Sequence, residues 1–204
     1  MSTRQHILSV VLVLSASAGI GAQTPRVPER ATTGEILEEL VATQNFERSV
    51  AEYVVLHRML EIRVPPLRVT TEVGEIQGAV RALGVRIHAA RATARQGDLI
   101  TPEVARMFRR RIATCLTPEE WKAVFDDLRR DEEGEPVEAP PPLVVNMEWP
   151  ERVPFEFVPP QLLRALPALP KELQYRIIGR SLVLWDHHAN LIVDFLPGAF
   201  VPTS

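Results

Sequence analysis

The sequence predicts an α+β fold: an antiparallel bundle of about four helices, then a proline-rich strap, then a small three-stranded antiparallel β-meander. Three observations favour this class. Between residues 33 and 130, apolar residues recur every three or four positions, which is the period of a helix. Ten prolines lie between residues 136 and 170, where they would disrupt a helix or a central strand. After residue 171, short apolar runs alternate with polar residues, as strands do.

The first two helices follow from their apolar spacing and from the residues that stop them. The first is expected from Gly34 to Ile62, because Pro65-Pro66 cannot continue it. The second is expected from Glu72 to Ala94, where Gln96-Gly97 closes it. The predicted buried stripe of the first helix consists of Val50, Tyr53, Val54, His57 and Leu60. The predicted buried seam of the second consists of Val73, Ile76, Val80, Leu83, Ile87, Ala90 and Ala94.

Two Thr-Pro pairs mark the next helix starts. Thr101 precedes Pro102, and Thr117 precedes Pro118 with Glu120 three residues after the threonine, which is a capping box. The fourth helix is expected to end near Arg129. The side chains expected to point inward are Val104, Phe108, Ile112 and Cys115 in the third helix, and Trp121, Val124, Phe125 and Leu128 in the fourth. Cys115 is the sole cysteine, and its position favours a buried, inert thiol over a reactive or intermolecularly bonded one.

Residues 131–170 are interpreted as a strap rather than a free tether, because the runs 143–149 and 155–158 are apolar enough to pack. A short helix is expected over 161–166. The tail, 171–204, predicts strands near 173–178, 181–186 and 190–195, with turns at Gly179-Arg180 and His187-His188-Ala189. So small a meander is not stable alone, so one face should pack on the helices.

The N-terminus predicts export. Residues 1–22 combine Arg4, an apolar core from Ile7 to Leu14, and small residues up to Ala22, which are typical of a cleavable signal peptide. The alternative is an uncleaved anchor, but a spanning helix needs about 20 apolar residues and this stretch is shorter. A flexible leader, 23–32, would follow. The predicted location is therefore periplasmic or secreted, with no membrane span after cleavage.

Charge argues against one class of partner. Residues 1–22 hold one arginine and no acid, so cleavage changes the net charge from −3 to −4. Nucleic-acid binding usually requires clustered basic residues. The run Arg109-Arg110-Arg111 is instead interpreted as a solvated helix face, offset by Glu103, Glu119, Asp126 and Asp127. We therefore expect no nucleic-acid partner.

Histidines offer two candidate metal sites. His57 with Glu61, four residues later, could meet His88 between two helices. The seam turns His88 about 100° away from Ile87, toward solvent, so we expect His57 at the edge of the core and His88 on the surface. These two rings are therefore not expected to converge.

The second candidate is Asp186-His187-His188 at the predicted hairpin tip, where ligand-type side chains cluster. Adjacent residues on extended chain point to opposite faces, and alternation scatters Asn190 and Asp194. We therefore expect turn chemistry here, with no specific metal and no cofactor. The sequence has no serine-hydrolase elbow, phosphate-binding glycine loop or Cys-x-x-Cys, so no catalytic residue is proposed.

The tail also carries a resemblance. Its pattern consists of Pro167-Ala168-Leu169-Pro170, Tyr175-Arg176, Gly179, Leu182-Val183-Leu184 and Leu191-Ile192-Val193-Asp194. This fifth of the chain resembles the C-terminal β-module of RcnB-type periplasmic proteins, a family of nickel and cobalt homeostasis. The whole chain resembles exported bacterial proteins without an assigned activity.

Two functions follow as hypotheses. The first is a non-enzymatic envelope protein that binds an unknown macromolecule through its helical face or an open sheet edge. The alternative, which the tail resemblance implies, is a metal-responsive or metal-binding periplasmic protein.

Overall fold

The computed structural model describes residues 32–64, 72–127, 141–150, 153 and 158–200. The predicted signal peptide, the leader up to residue 31, the end of the fourth helix and the run 155–157 lie outside the described residues. The elements are α1 (Thr33–Glu61), α2 (Val73–Ala90), α3 (Pro102–Cys115), α4 (Pro118–Asp127), α5 (Pro160–Ala165), β1 (Leu173–Ile178), β2 (Ser181–Asp186) and β3 (Leu191–Leu196).

The predicted starts of α3 and α4 are confirmed by their caps. The Thr101 side chain accepts a hydrogen bond from the Val104 amide. At α4, the Glu120 amide donates to Thr117 Oγ1 over 3.2 Å, and the Thr117 amide donates to the Glu120 carboxylate over 2.7 Å. Both halves of the capping box are therefore formed.

The predicted seam of α2 is only half right. Leu83 and Ile87 are buried, whereas Val73 is 64% exposed, Ile76 is 38% exposed, and the helix ends at Ala90 rather than Ala94. Gly84, in the C-terminal half of α2, lies directly against the β2–β3 turn, whereas Ile76 and Val80 of the N-terminal half face Trp149 of residues 141–150 across an open groove. The periodicity correctly predicted which face points inward, but not how much of that face is covered.

The meander is confirmed with nearly the predicted strand bounds. The strands lie in the order β1-β2-β3, all antiparallel. Ile178 pairs with Ser181, so Gly179 and Arg180 form a two-residue turn, and Gly179 has a φ of 56° that suits glycine. A register shift lies between Leu184 and Trp185 in the pairing with β3.

One face of the sheet shares a core with the helices. Phe46 of α1 meets Phe108 of α3 edge-to-face at 5.0 Å, and Phe108 meets Tyr175 of β1 at 6.1 Å. The predicted α+β class is confirmed. The antiparallel four-helix bundle is not: α1 packs against α2 and α3, whereas α4 contacts Phe200 at the end of the described chain.

The strap covers the other face and one edge of the sheet. Trp149 packs with the outward residues Ile178, Val183 and Ile192. The backbone N–H of Asn146 donates to the Ile192 carbonyl at 2.8 Å, and the backbone N–H of Ile192 donates to the Met147 carbonyl at 3.0 Å. Residues 141–150 therefore form a packed strap, as predicted. These residues therefore cover the β3 edge of the sheet, and β1 is the other edge strand.

Among the described helices, none combines the length and the apolar character that crossing a bilayer demands.

Candidate metal centre

The turn between β2 and β3 meets the C-terminal part of α1. Tyr53 and His57 lie one helical turn apart on the buried stripe of α1, and both point at Asp186, the last residue of β2. Glu61 follows His57 by another turn. The helix period therefore brings three polar side chains of α1 to a single turn of the sheet.

Asp186 is fully buried and uses both of its carboxylate oxygens. Oδ1 accepts hydrogen bonds from the amides of His188, at 3.0 Å, and Ala189, at 2.9 Å, so the predicted turn chemistry of Asp186 is confirmed. Oδ2 is 2.6 Å from the Tyr53 hydroxyl and 2.6 Å from Nδ1 of His57. Asp186 therefore joins the hairpin turn to α1.

The contact with Asp186 determines which nitrogen of His57 is available. A carboxylate only accepts hydrogen bonds, so Nδ1 of His57 carries a proton and donates it to Asp186. In the neutral ring, Nε2 then keeps a free lone pair. Nε2 is buried and has no hydrogen-bond partner among the described residues; its nearest anion is Glu61 Oε2, at 3.7 Å. The expectation of a core-edge histidine is corrected, because His57 is fully buried.

His188 completes the cluster from the hairpin turn. Its Nδ1 is 3.6 Å from Glu61 Oε1, and its ring centroid is 5.6 Å from that of His57. One ligand-type atom from each of His57, Glu61 and His188 lies within 4.8 Å of the other two. Two imidazoles and a carboxylate thus converge where the buried hydrogen bonds of Tyr53, Asp186 and His57 reach the surface.

The surroundings bias the two rings in opposite directions. Burial works against a charged His57, but the hydrogen bond and negative charge of Asp186, with Glu61 and Glu172, raise its pKa above 6.5. Burial, together with His187, lowers the pKa of His188. His188 is therefore readily neutral, whereas His57 favours a bound positive charge, whether a proton or a metal ion.

A second buried carboxylate lies near this cluster. Glu172 is 1% exposed and pairs with Arg58 of α1, whose Nε donates to Oε1 at 2.8 Å. Burial would raise the pKa of Glu172, but the hydrogen bond and charge of Arg58 outweigh it and lower that pKa. The Arg58 guanidinium thus offsets the negative charge of Glu172. The carboxylates of Asp186 and Glu61 remain beside His57.

The structure separates the predicted candidates. Asp186 holds His57 rather than facing the cluster as a ligand. His187 points away, with Nε2 donating to the Lys171 carbonyl at 2.6 Å. His188 is half-buried against α1, which corrects the expectation that the whole tip is solvated. His88 is exposed, as predicted. Asp194 accepts hydrogen bonds from the backbone amides of Leu99 and Ile100 and is not part of this cluster.

The partnership of His57 with His188 was missed because the two residues are 131 positions apart. The available local signal was His57 with Glu61 at i,i+4, which presents both side chains on one helix face. Helix spacing alone offers His88, on the next helix, as the partner of that pair. Only the packing of the meander on α1 brings the correct partner.

Two arginines of the run, Arg109 and Arg110, are exposed, as predicted for a solvated helix face, whereas Arg111 is half-buried. Arg111 pairs with Glu39 at 2.8 Å, an acid that was not predicted to offset the run. Arg109 donates to the Pro197 carbonyl at 3.3 Å, and Arg110 is exposed. The lone Cys115 is half-buried, and burial raises the pKa of its thiol, as expected of an inert thiol.

No family model, no curated protein and no solved structure matches this chain.

Proposed function

We propose that this protein is an exported metal-binding protein that holds one divalent transition-metal ion between His57, Glu61 and His188. The observation that carries the proposal is the Nε2 of a fully buried histidine, which has no hydrogen-bond partner among the described residues and lies near a carboxylate and a second imidazole. A buried polar atom without a partner is costly, and native proteins rarely leave one without a reason.

The spacing suits a metal ion better than hydrogen bonds. The distances of 3.7 Å from His57 Nε2 to Glu61 and 3.6 Å from His188 Nδ1 to Glu61 are too long for hydrogen bonds. Ligand atoms at 2.0–2.1 Å from a tetrahedral zinc ion lie about 3.4 Å apart. The two histidines approach different oxygens of Glu61, and the three ligand atoms lie within 4.8 Å of one another, so these side chains would have to move closer together to bind one ion.

Asp186 supplies the support that a metal-bound histidine normally has. A metal-binding ring usually donates its other N–H to a carboxylate, which fixes its orientation and makes it a stronger ligand. The 2.6 Å contact between Asp186 and Nδ1 of His57 provides that arrangement. Tyr53 and two turn amides hold the same carboxylate, so His57 is pre-organised before any ion binds.

The ligand types define the class of ion. Two imidazoles and one carboxylate suit zinc, nickel, cobalt or copper, and they are a poor site for calcium or magnesium, which require several oxygens. Glu61 is 48% exposed, so solvent can fill the remaining coordination positions. The resemblance of residues 167–194 to RcnB-type proteins points to the same group of metals.

Calorimetric titration of the tag-free protein with zinc, nickel and cobalt tests the site. We expect one equivalent to bind with a Kd near or below about 1 μM, which is about −8 kcal/mol. His188→Ala should abolish this binding and His187→Ala should leave it unchanged, a matched pair of neighbouring histidines. His88→Ala is a second control on an exposed ring.

Glu61→Gln tests the carboxylate without disturbing the core, since Glu61 is half-exposed. We expect affinity to fall by at least tenfold in this variant. Equal titration curves for the wild type and His188→Ala, or binding weaker than about 10 μM by both, would refute the site. The cluster would then be a histidinium held by Asp186 and Glu61.

Export is the other half of the proposal, and it rests on residues 1–22. Mass spectrometry of the protein from its native envelope should find a chain that begins near Gln23. Intact Met1 or Ser2 in the membrane fraction would contradict cleavage.

One observation favours the other sequence hypothesis, binding of an envelope macromolecule through a helical face. Near its N-terminus, α1 exposes four large apolar side chains: Ile36, Leu37, Leu40 and Val41. Replacing Leu37 and Leu40 together by glutamate should abolish cross-linking to a partner in intact envelopes while metal binding persists. Cross-linking that is unchanged in this double variant would exclude the face.

A further inference from the structure

A second site lies away from the metal centre, between α3, α4 and the end of β3. It is a cavity of about 540 Å³, within the range of about 300–1,000 Å³ that is typical of small-molecule pockets. Its apolar wall includes Ile112 and Leu116 of the α3 end and three aromatic rings, those of Trp121, Phe125 and Phe200. We refer to it below as the aromatic pocket.

Among the described residues that line this pocket, the charges are unbalanced. Lys122 and Asp126 neutralise each other through a contact of 2.5 Å. Arg109 donates only to a neutral carbonyl, that of Pro197, and the Arg180 guanidinium lies 5.9 Å from the centre of the Phe125 ring. Among the described residues, neither arginine forms an ion pair with a carboxylate. An apolar cavity whose described lining holds two arginines without a carboxylate partner fits a ligand that is apolar along its body and anionic at one end.

The arrangement of the rings indicates the shape of that body. Trp121 and Phe125 stack on each other at 22° between their planes, so each covers a face of the other. Phe200 is tilted by 51° to Trp121 and by 62° to Phe125. No two of these three rings form a parallel slot that would clamp a flat aromatic ligand. A flexible aliphatic chain adapts to such tilted walls.

We propose that the aromatic pocket binds a medium- or long-chain aliphatic carboxylate. The chain lies against Trp121, Phe125 and Phe200, and the carboxylate pairs with Arg109 and Arg180. This binding is independent of the metal ion, because the two sites share no lining residue. It adds an organic anion to the ligands of this protein.

Calorimetric titration with octanoate, decanoate and dodecanoate, each below its micelle concentration and with a chelator present, tests the proposal. Each added methylene should raise affinity by up to about fourfold, which corresponds to about 0.8 kcal/mol per buried CH₂. Decanol should bind more weakly than decanoate, and decyltrimethylammonium more weakly still, because the two arginines repel a cation. Equal affinity for the anion and the cation would overturn the assignment of the arginines.

Three variants locate the site. Arg180→Gln should weaken decanoate binding about tenfold and leave decanol binding unchanged, whereas Arg86→Gln, on an exposed face of α2, should change neither. Ala113→Phe adds a ring at an exposed pocket position and should block all binding without harm to the core. Chain-length dependence that survives in Ala113→Phe, with melting temperature unchanged, would overturn the proposal. So would a complete lack of decanoate binding by the wild type.

Discussion

Strands β2 and β3 each carry one fully buried aspartate, and the two regions around them use the same group differently. Asp194 of β3 accepts four backbone hydrogen bonds of 2.8–2.9 Å, from the amides of Gly97, Leu99, Ile100 and Phe195. Asp186 of β2 accepts two backbone amides with one oxygen and two α1 side chains, Tyr53 and His57, with the other.

The difference in partners distinguishes a structural anchor, Asp194, from part of a candidate metal site, Asp186. Around Asp194 the hydrogen bonds end in backbone N–H groups, which neither titrate nor bind metal ions, so this carboxylate fastens the segment before α3 to the sheet. Around Asp186 the hydrogen bonds continue through His57 to its Nε2, which has no hydrogen-bond partner in the described part of the chain. Equal burial of two aspartates therefore does not imply an equal role. The role depends on whether the hydrogen-bond partners are backbone amides or a side chain that can itself bind a proton or a metal ion.

The largest expected effect is on the anchor. Asp194→Asn replaces one accepting oxygen by an NH₂ group that faces backbone donors, so two of the four backbone amides lose their acceptor. We expect a loss of about 2–6 kcal/mol in the free energy of unfolding, because each unsatisfied buried group costs about 1–3 kcal/mol. Urea denaturation measures the loss. Metal affinity of the folded variant should be unchanged, and a weakened metal site would mean that the two aspartates are coupled.

Asp186→Asn tests the other region and should affect metal binding most. An amide NH₂ beside Nδ1 of His57 donates rather than accepts, so the ring proton moves to Nε2 and blocks the ligand atom. We expect a 10- to 100-fold loss of zinc affinity, the usual cost of losing such a support. Tyr53→Phe, which keeps the carboxylate, is the control. If zinc affinity falls equally in both variants, packing rather than the tautomer is responsible.

Gly84 of α2 provides a way to move the turn without changing a polar group. A Cβ at Gly84 would lie 2.8 Å from the Ala189 carbonyl oxygen, next to His188. Gly84→Ala should therefore cost about 1–2 kcal/mol of stability and weaken metal binding, as overpacking does. Gly78→Ala, in the same helix with nothing within 4 Å, should stabilise by about 0.5–1 kcal/mol. Thermal melts with and without zinc compare the two variants. Identical changes in melting temperature for Gly84→Ala and Gly78→Ala would mean that the turn does not pack against α2.

The smallest effect is in the pH dependence, and its sign separates the two occupants of Nε2. The pKa of His57 is raised on folding, so in metal-free protein this histidine stabilises the fold below about pH 6.5, and the stabilisation is lost as pH rises through the folded pKa. With zinc, the ion replaces the proton, so the zinc-dependent stabilisation should grow over the same interval. Melting temperatures from pH 5 to 9 test this. Parallel curves with and without zinc would indicate that the metal does not compete for Nε2.

Local features of this protein were predictable from the sequence. The capping box at Thr117 and Glu120, the turn at Gly179 and the three strands all depend on residues within a few positions of each other, so short windows contain the information. The stripe that buries Tyr53 and His57 was likewise visible, because helix periodicity depends only on spacing.

What the sequence by itself determined is therefore the kind of each element and the inward face of most of them. The tertiary structure alone decided which faces met: that α2 is covered over only part of its length, and that His57 lies beside His188 rather than near His88. The physical reason is that spacing along a chain specifies directions within one element, whereas a metal site needs atoms from two elements within a few ångströms. In this protein, the packing of a hairpin turn on α1 creates that proximity.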